Sequence, residues 1–277
     1  MIKNQLNKYF LKLISLFFIM NCSLLFANIT ASNVIEYTPL GNFPVNYTNA
    51  NAILGEPATM IRNEVGNDEY ITIDQPAWLP SQILTLGDGG HIIVEMSSPV
   101  YNLDDPEHLY GIDLIIYGNT LFSKNSKNFW NETSAEPAEV FVSNDLTNWY
   151  KIKNCKVDDL FPTQAIDING NPSDYYKPVN PAYLTNNFCD GTWSYSNTVA
   201  LYAGAAGGTP IDLSQAVDEN GDAVELEAIR YVKIVDIAND YGSAEIDAVV
   251  GTRTIPEPYF ALISAAVFML FIRKNSV

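Results

Sequence analysis

Short runs rich in β-branched and aromatic residues, each bounded by Gly, Pro, Asn or Asp, recur along residues 34–251 and constrain the fold more than any other feature. The clearest are residues 91–96, 112–117, 139–143 and 231–235. In the third, Val140 and Val142 fall on one face and Phe141 on the other, the pattern of a strand covered on both sides. No stretch between the runs holds helical periodicity for three turns. Strands without long crossover helices pair with their neighbours and stack sheet on sheet. The pattern therefore predicts an all-β sandwich over residues 28–252, with a Pro-, Asn- and Tyr-rich, loop-forming insertion at about 154–210.

The two ends of the chain have a different character. Residues 1–27 begin with Lys3, Lys8 and Lys12, continue through an apolar stretch at 13–20 and finish on the small Ala27. This is the pattern of a secretory signal peptide, with signal peptidase expected to cut after Ala27. Cys22 is a poor lipidation site, because Asn21 precedes it and the apolar run continues beyond it. At the other end stand Pro256, Glu257 and Pro258, then fourteen uncharged residues at 259–272, then Arg273 and Lys274. Fourteen residues of helix reach only about 21 Å, short of a hydrocarbon core of about 30 Å. The segment alone makes a marginal transmembrane anchor, and the basic pair after it places the C-terminus in the cytoplasm.

These C-terminal residues resemble the PEP-CTERM sorting signal of Gram-negative bacteria. The resemblance implies recognition and cleavage near Pro256–Glu257–Pro258 by a membrane-embedded exosortase, with delivery from the inner membrane to the cell surface or the exopolysaccharide matrix. It covers residues 253–277 and is silent on the domain before them.

Between the apolar ends lie all 32 acidic residues but only ten of the 15 basic ones, a net charge of −22. Such a field repels nucleic acid and anionic lipid. Cys155 and Cys189 are the only cysteines of this part. In an exported protein an even pair predicts a disulfide, which would stabilise the fold by roughly 3–4 kcal/mol, against the alternative of two buried free thiols.

The order of several segments resembles a discoidin-like or galactose-binding-like jelly roll. They are residues 34–37, 52–57, 86–92, 111–119, 135–145, 230–236 and 246–249. Within them Asp113, Glu136, Asp236 and Asp247 stand at or beside strand ends, near Asn119 and Asp240. If they converge they supply the hard oxygens of a structural Ca²⁺ site; otherwise they cap turns or pair with Arg230 and Lys233. Residues 167–171 and 218–222 start like calcium loops but lack the turn glycine and the final acidic ligand, and so predict ordinary turns.

Only His91 and His108 are available as imidazoles, and no serine sits in a Gly-x-Ser-x-Gly elbow. Triads, zinc hydrolases and thiol enzymes lack their parts. A carboxylate pair for glycoside hydrolysis remains available among the abundant acids. Trp130, Trp193, Tyr175, Tyr176 and Tyr183 fall in expected loops, where aromatic faces either pack into the core or bind sugar rings. The leading expectation is a non-enzymatic surface or matrix module that adheres to polysaccharide or to another surface protein. The alternatives are a carbohydrate-active hydrolase or lyase and a structural coat component.

Overall fold

The computed structural model describes residues 28–253 apart from 42, 63–64, 186 and 239–241. Ala27 and the expected signal segment lie outside the described residues, as do Pro256, Glu257, Pro258, Arg273 and Lys274 with the helix expected at 259–272. Along the described chain run β1 (Ala31–Thr38), β2 (Met60–Arg62), β3 (Asp68–Tyr70), β4 (Leu84–Thr85), β5 (His91–Tyr101), β6 (Leu114–Gly118) and β7 (Leu121–Lys124). There follow β8 (Trp130–Ser134), β9 (Ala138–Ser143), β10 (Tyr150–Ile152), helix α1 (Tyr195–Tyr202), β11 (Thr209–Ile211), β12 (Ala216–Val217), β13 (Ala228–Asp236) and β14 (Glu245–Gly251).

The described part is all-β, and these strands pair antiparallel throughout. One sheet has six strands in the order β1-β5-β13-β9-β10-β12, another has four in the order β11-β6-β14-β4, and β2-β3 and β7-β8 are separate hairpins. The four runs that stand out in the sequence are β5, β6, β9 and β13, the central strands of the two main sheets.

Period two decides which side chains meet. Ile92 and Val94 of β5, Val140 and Val142 of β9, and Val232 and Ile234 of β13 share one buried cluster with Leu114 and Ile116 of β6 and Ile246 and Val249 of β14. That cluster is the layer between the two sheets. Ile116 is fully enclosed within it, so truncating it to alanine would cost about 2–5 kcal/mol through lost transfer energy and the cavity left behind.

Every residue of β6 is buried because the smaller sheet is covered on its other face as well. Ile115, Tyr117, Ala248 and Val250 pack there against Ile71, Ala165, Tyr175, Tyr176 and Ala206. Half of the buried residues in this third layer, Ala165, Tyr175, Tyr176 and Ala206, come from the expected loop-rich insertion, which is thus part of the packed body, and Ile61, Ile71, Ala77 and Ile83 supply the rest. Beyond it, Phe122, Trp130, Phe161, Phe188 and Tyr202 form an aromatic cluster that joins the β7–β8 hairpin to α1. The helix starts where the Ser194 side chain accepts a hydrogen bond from the Asn197 amide, and it ends after two turns at Ala203, which is left-handed at φ 51°. Among the described residues no helix is long and apolar enough to cross a membrane.

This packing bears on two sequence expectations. Cys155 and Cys189 are free thiols in different places: Cys155 packs against the intersheet cluster and Cys189 against the aromatic one. Spacing and compartment alone suggested the pair, but the chain between them folds into separate layers. Trp130 is fully buried, with its indole N–H donating to Thr198 Oγ1 at 2.9 Å, so it is a core residue with no face open to a ligand.

Candidate functional site

Of the four strand-end carboxylates only Glu136 and Asp236 come together. Asp113 stands just before β6: its Oδ1 lies 2.6 Å from His108 Nδ1 and accepts the Leu103 amide at 3.0 Å, while Oδ2 accepts the Leu213 amide at 2.9 Å. It thereby ties the chain before β6 to the turn after β11. Glu136 and Asp236 belong with the opposite end of β6, roughly 17 Å of strand away, where Gly118 pairs with Ile246. Asp247 is on its own, both oxygens facing the Ala58 amide at 3.1 Å.

The acidic end of the smaller sheet holds Glu136, Asp158, Asp236 and Glu245, which influence one another electrostatically. Backbone amides hold two of them. Asp158 accepts from Thr120 and Glu245 at 2.8 and 3.0 Å, and Asp236 accepts from Ala244 and Gly89 at 2.8 and 2.9 Å. Close approach requires glycine beside them: a Cβ on Gly118 would stand 2.3 Å from Asp158 Oδ1, and one on Gly242 would stand 2.1 Å from Glu136 Oε1. Burial, then Glu245, then Asp236 push the Glu136 carboxyl up to about 7. Burial drives Asp158 well above the usual carboxylate range against its two amide bonds, and drives Asp247 up to about 7 against the Ala58 bond. Protons therefore relieve much of the crowding.

This chemistry does not fit a calcium cage. Both oxygens of Asp158 and of Asp236 already accept amide hydrogens, and Glu245 takes the Asn119 side chain, whereas Ca²⁺ requires 6–8 oxygen ligands. Among the described residues no group of three or more His, Cys, Asp and Glu is arranged to hold a metal ion. The two calcium-loop-like stretches are Asx turns. Asp167 Oδ1 accepts the Asn169 and Asn171 amides at 2.8 Å each, Asp218 Oδ1 accepts those of Asn220 and Asp222 at 2.9 and 3.0 Å, and these bonds lower both carboxyls.

Of the aromatic candidates, Trp193 stands edge-on to Phe188 with ring centroids 5.1 Å apart and belongs to the aromatic cluster. Tyr175 and Tyr176 reach a cleft. It has a volume of about 390 Å³ and is walled by Asn28, Glu56, Ser173, Asp174 and Arg253 together with the two tyrosines. Four parts of the chain build it: the residues just before β1, the segment before β2, the third layer and the residues just after β14.

Its polar groups form a connected network. Glu56 Oε1 accepts from Asn28 Nδ2 at 2.8 Å and from the Tyr176 hydroxyl at 3.0 Å. Asp174 Oδ1 accepts the Tyr176 amide at 2.9 Å, and its Oδ2 pairs with Arg253 Nη1 at 3.1 Å. The Arg253 guanidinium also lies 4.9 Å from the centre of the Tyr176 ring, a cation–π contact that covers that face. Tyr175 donates its hydroxyl to the Ala58 carbonyl at 3.1 Å, and burial raises both phenols. The Ser173 hydroxyl is buried without a hydrogen-bond partner, the one such side-chain atom among the described residues. An unmet buried hydroxyl costs about 1–3 kcal/mol, so its position calls for an explanation.

A larger cleft of about 760 Å³ lies along β10 and β11, with Lys151, Lys153 and Lys156 on its walls and Ile112, Ile152 and Ile211 among its apolar lining. Its charges offset one another: Lys151 pairs with Glu139 at 2.5 Å, and Lys156 acts on Asp159. Burial pushes the Cys155 thiol in its wall up to about 12, which leaves it protonated and unreactive at neutral pH.

Sequence reasoning reached Tyr175 and Tyr176 but not Glu56, Ser173, Asp174 or Arg253. A polar-aromatic run at 173–176 was the available local signal; the pairing with Glu56 depends on a fold contact spanning about half the chain. No protein-family model matches the chain, and the search of curated proteins found no match.

Proposed function

We propose that the chain is an exported surface or matrix protein whose β-sandwich, a jelly roll of the galactose-binding-like kind, is a non-enzymatic carbohydrate-binding or adhesion module. The observation that carries the binding role is the cleft at Tyr175 and Tyr176, where hydrogen-bonding groups of both polarities converge on an aromatic wall. Asp113, Asp158 and Asp236, three of the carboxylates near the strand ends, are engaged by backbone amides. Export rests on the sequence pattern before Ala27. Sorting rests on Pro256–Glu257–Pro258 with Arg273 and Lys274, which would bring signal peptidase, an exosortase and the membrane in as processing partners.

A hydrolase is the second reading, favoured by Glu136: a carboxyl raised to about 7 beside Glu245 has the protonation that a general acid needs. The test is a glycan array probed with the purified protein, alongside a reducing-end assay on each bound polysaccharide. Saccharide binding without release of reducing ends is expected. Release that disappears in Glu136→Gln would replace the adhesion reading with the enzymatic one, and absence of any saccharide binding would remove both.

A further inference from the structure

We infer that the 390 Å³ cleft is a site for a neutral sugar residue, recognised by hydrogen bonds from Glu56, Ser173 and Arg253 and not by stacking on Tyr176. This assignment rests on the binding role proposed above and narrows it to one site and one ligand class.

The ligand class follows from what the cleft leaves unused. Glu56 Oε1 accepts two hydrogen bonds, while no described residue donates to its Oε2. Arg253 commits Nη1 to Asp174, and a guanidinium has further N–H donors to offer. The Ser173 hydroxyl, able to donate and accept, is buried in the cleft wall with no partner among the described residues. A carboxylate acceptor, guanidinium donors and a hydroxyl in one cleft match neighbouring hydroxyls of a pyranose, each of which donates once and accepts from another side. A bound sugar would also give the Ser173 hydroxyl the partner it lacks.

Other ligand classes fit less well. An anionic ligand meets two carboxylates against one guanidinium, on a chain whose central part carries a net charge of −22. A metal ion finds Glu56 and Asp174 already bonded to Asn28, Tyr176 and Arg253. Flat apolar ligands lack a platform, because Arg253 covers a face of Tyr176 and Tyr175 is nine-tenths buried. The volume lies near the lower end of the roughly 300–1,000 Å³ usual for ligand sites, which suits a sugar residue or a short stretch of glycan.

The experiment measures binding of methyl glycosides of galactose, glucose and mannose to the full chain in mild detergent, with glucuronate as the anionic comparison. Wild type is set beside Glu56→Gln and Ser173→Ala, and each variant's melting temperature is recorded. At least one neutral glycoside should bind more tightly than glucuronate, and both variants should weaken it tenfold or more. Ser173→Ala should melt no lower than wild type, since it removes an unsatisfied group; loss of binding by a protein of undiminished stability separates a ligand contact from a structural one. If a glycoside binds and neither variant weakens it, this cleft is not the site and the general binding role stands. Preference for glucuronate overturns the ligand class. If wild type binds no glycoside here and no saccharide on the array, the cleft and the binding role fall together.

Discussion

Asp247 is fully buried, faces one backbone amide and pairs with no cation among the described residues, so its ionised form is costly in the folded state. Its carboxyl rises from 3.8 to about 7 in the folded protein. A raised folded value means that the folded state holds the proton more tightly than the unfolded one. Its stabilising contribution is therefore complete below about pH 4 and is lost as pH climbs through 7. Between those limits the difference is on the order of 4 kcal/mol. Asp158, Glu136 and Glu245 are raised as well and act with the same sign. The exposed turn carboxyls of Asp145, Asp167, Asp190 and Asp218 are lowered and act oppositely, at the acid end of the range. Urea titrations from pH 4 to 8 should show stability falling as pH rises, and the fall should be shallower in Asp247→Asn. A flat or rising profile in wild type would mean that these carboxylates are ionised and compensated in a way the fold does not show.

At the scale of elements, the third layer decides whether the smaller sheet can exist. Ile115, Tyr117, Ala248 and Val250 would lose the cover of Ala165, Tyr175, Tyr176 and Ala206 if residues 159–208 were replaced by a short linker. Burying each large apolar side chain contributes about 1.5–3 kcal/mol, so the shortened chain should expose an apolar sheet face. The expected outcome is aggregation, or strong binding of a hydrophobic dye, measured beside the intact chain. A soluble, cooperatively melting shortened chain would show that the layer is dispensable. The strands of the two main sheets were legible in the sequence because β-branched runs with period two carry their own signal, as in β5 and β13. The insertion at 154–210 reads as a loop in the sequence because it has little repetitive structure, although Ala165, Tyr175, Tyr176 and Ala206 are buried like strand residues. Neighbour relations were hidden as well: β13 lies between β5 and β9, and nothing local to β13 says so.

The same loss of long-range information explains the cysteines and bears on the chemistry that the proposed export would impose. Cys155 and Cys189 belong to different clusters, so each should remain a thiol unless the layers come apart. Alkylation of unreduced, denatured protein should label both Cys155 and Cys189. In the native protein Cys189 should label faster than Cys155, whose thiol burial raises to about 12. An internal disulfide found by non-reducing peptide mapping would require the two clusters to be closer than the fold places them.

Over the whole molecule charge dominates, because 32 carboxylates between the apolar ends face only ten Lys and Arg side chains. Local bonding moderates this for particular groups, but the exposed acids repel one another through solvent over distances that salt controls. The screening length falls from about 30 Å at 0.01 M salt to about 8 Å at 0.15 M. Raising sodium chloride across that range should therefore raise the melting temperature of the full chain, with most of the gain complete once the screening length is shorter than the spacing between surface charges. Calcium tests whether screening is all that is involved. A cation held by a built cage binds the folded state alone and stabilises it by about 2.7 kcal/mol at a hundred times its dissociation constant, several degrees more than screening supplies. The acidic end at Glu136 and Glu245 offers too few free oxygens for such a cage, so calcium and magnesium at equal ionic strength should raise the melting temperature equally, with no further drop when a chelator is added at constant ionic strength. A shift specific to calcium that vanishes in Glu136→Gln would overturn this and make the acidic end a metal site, completed by oxygens beyond those bonded to backbone amides.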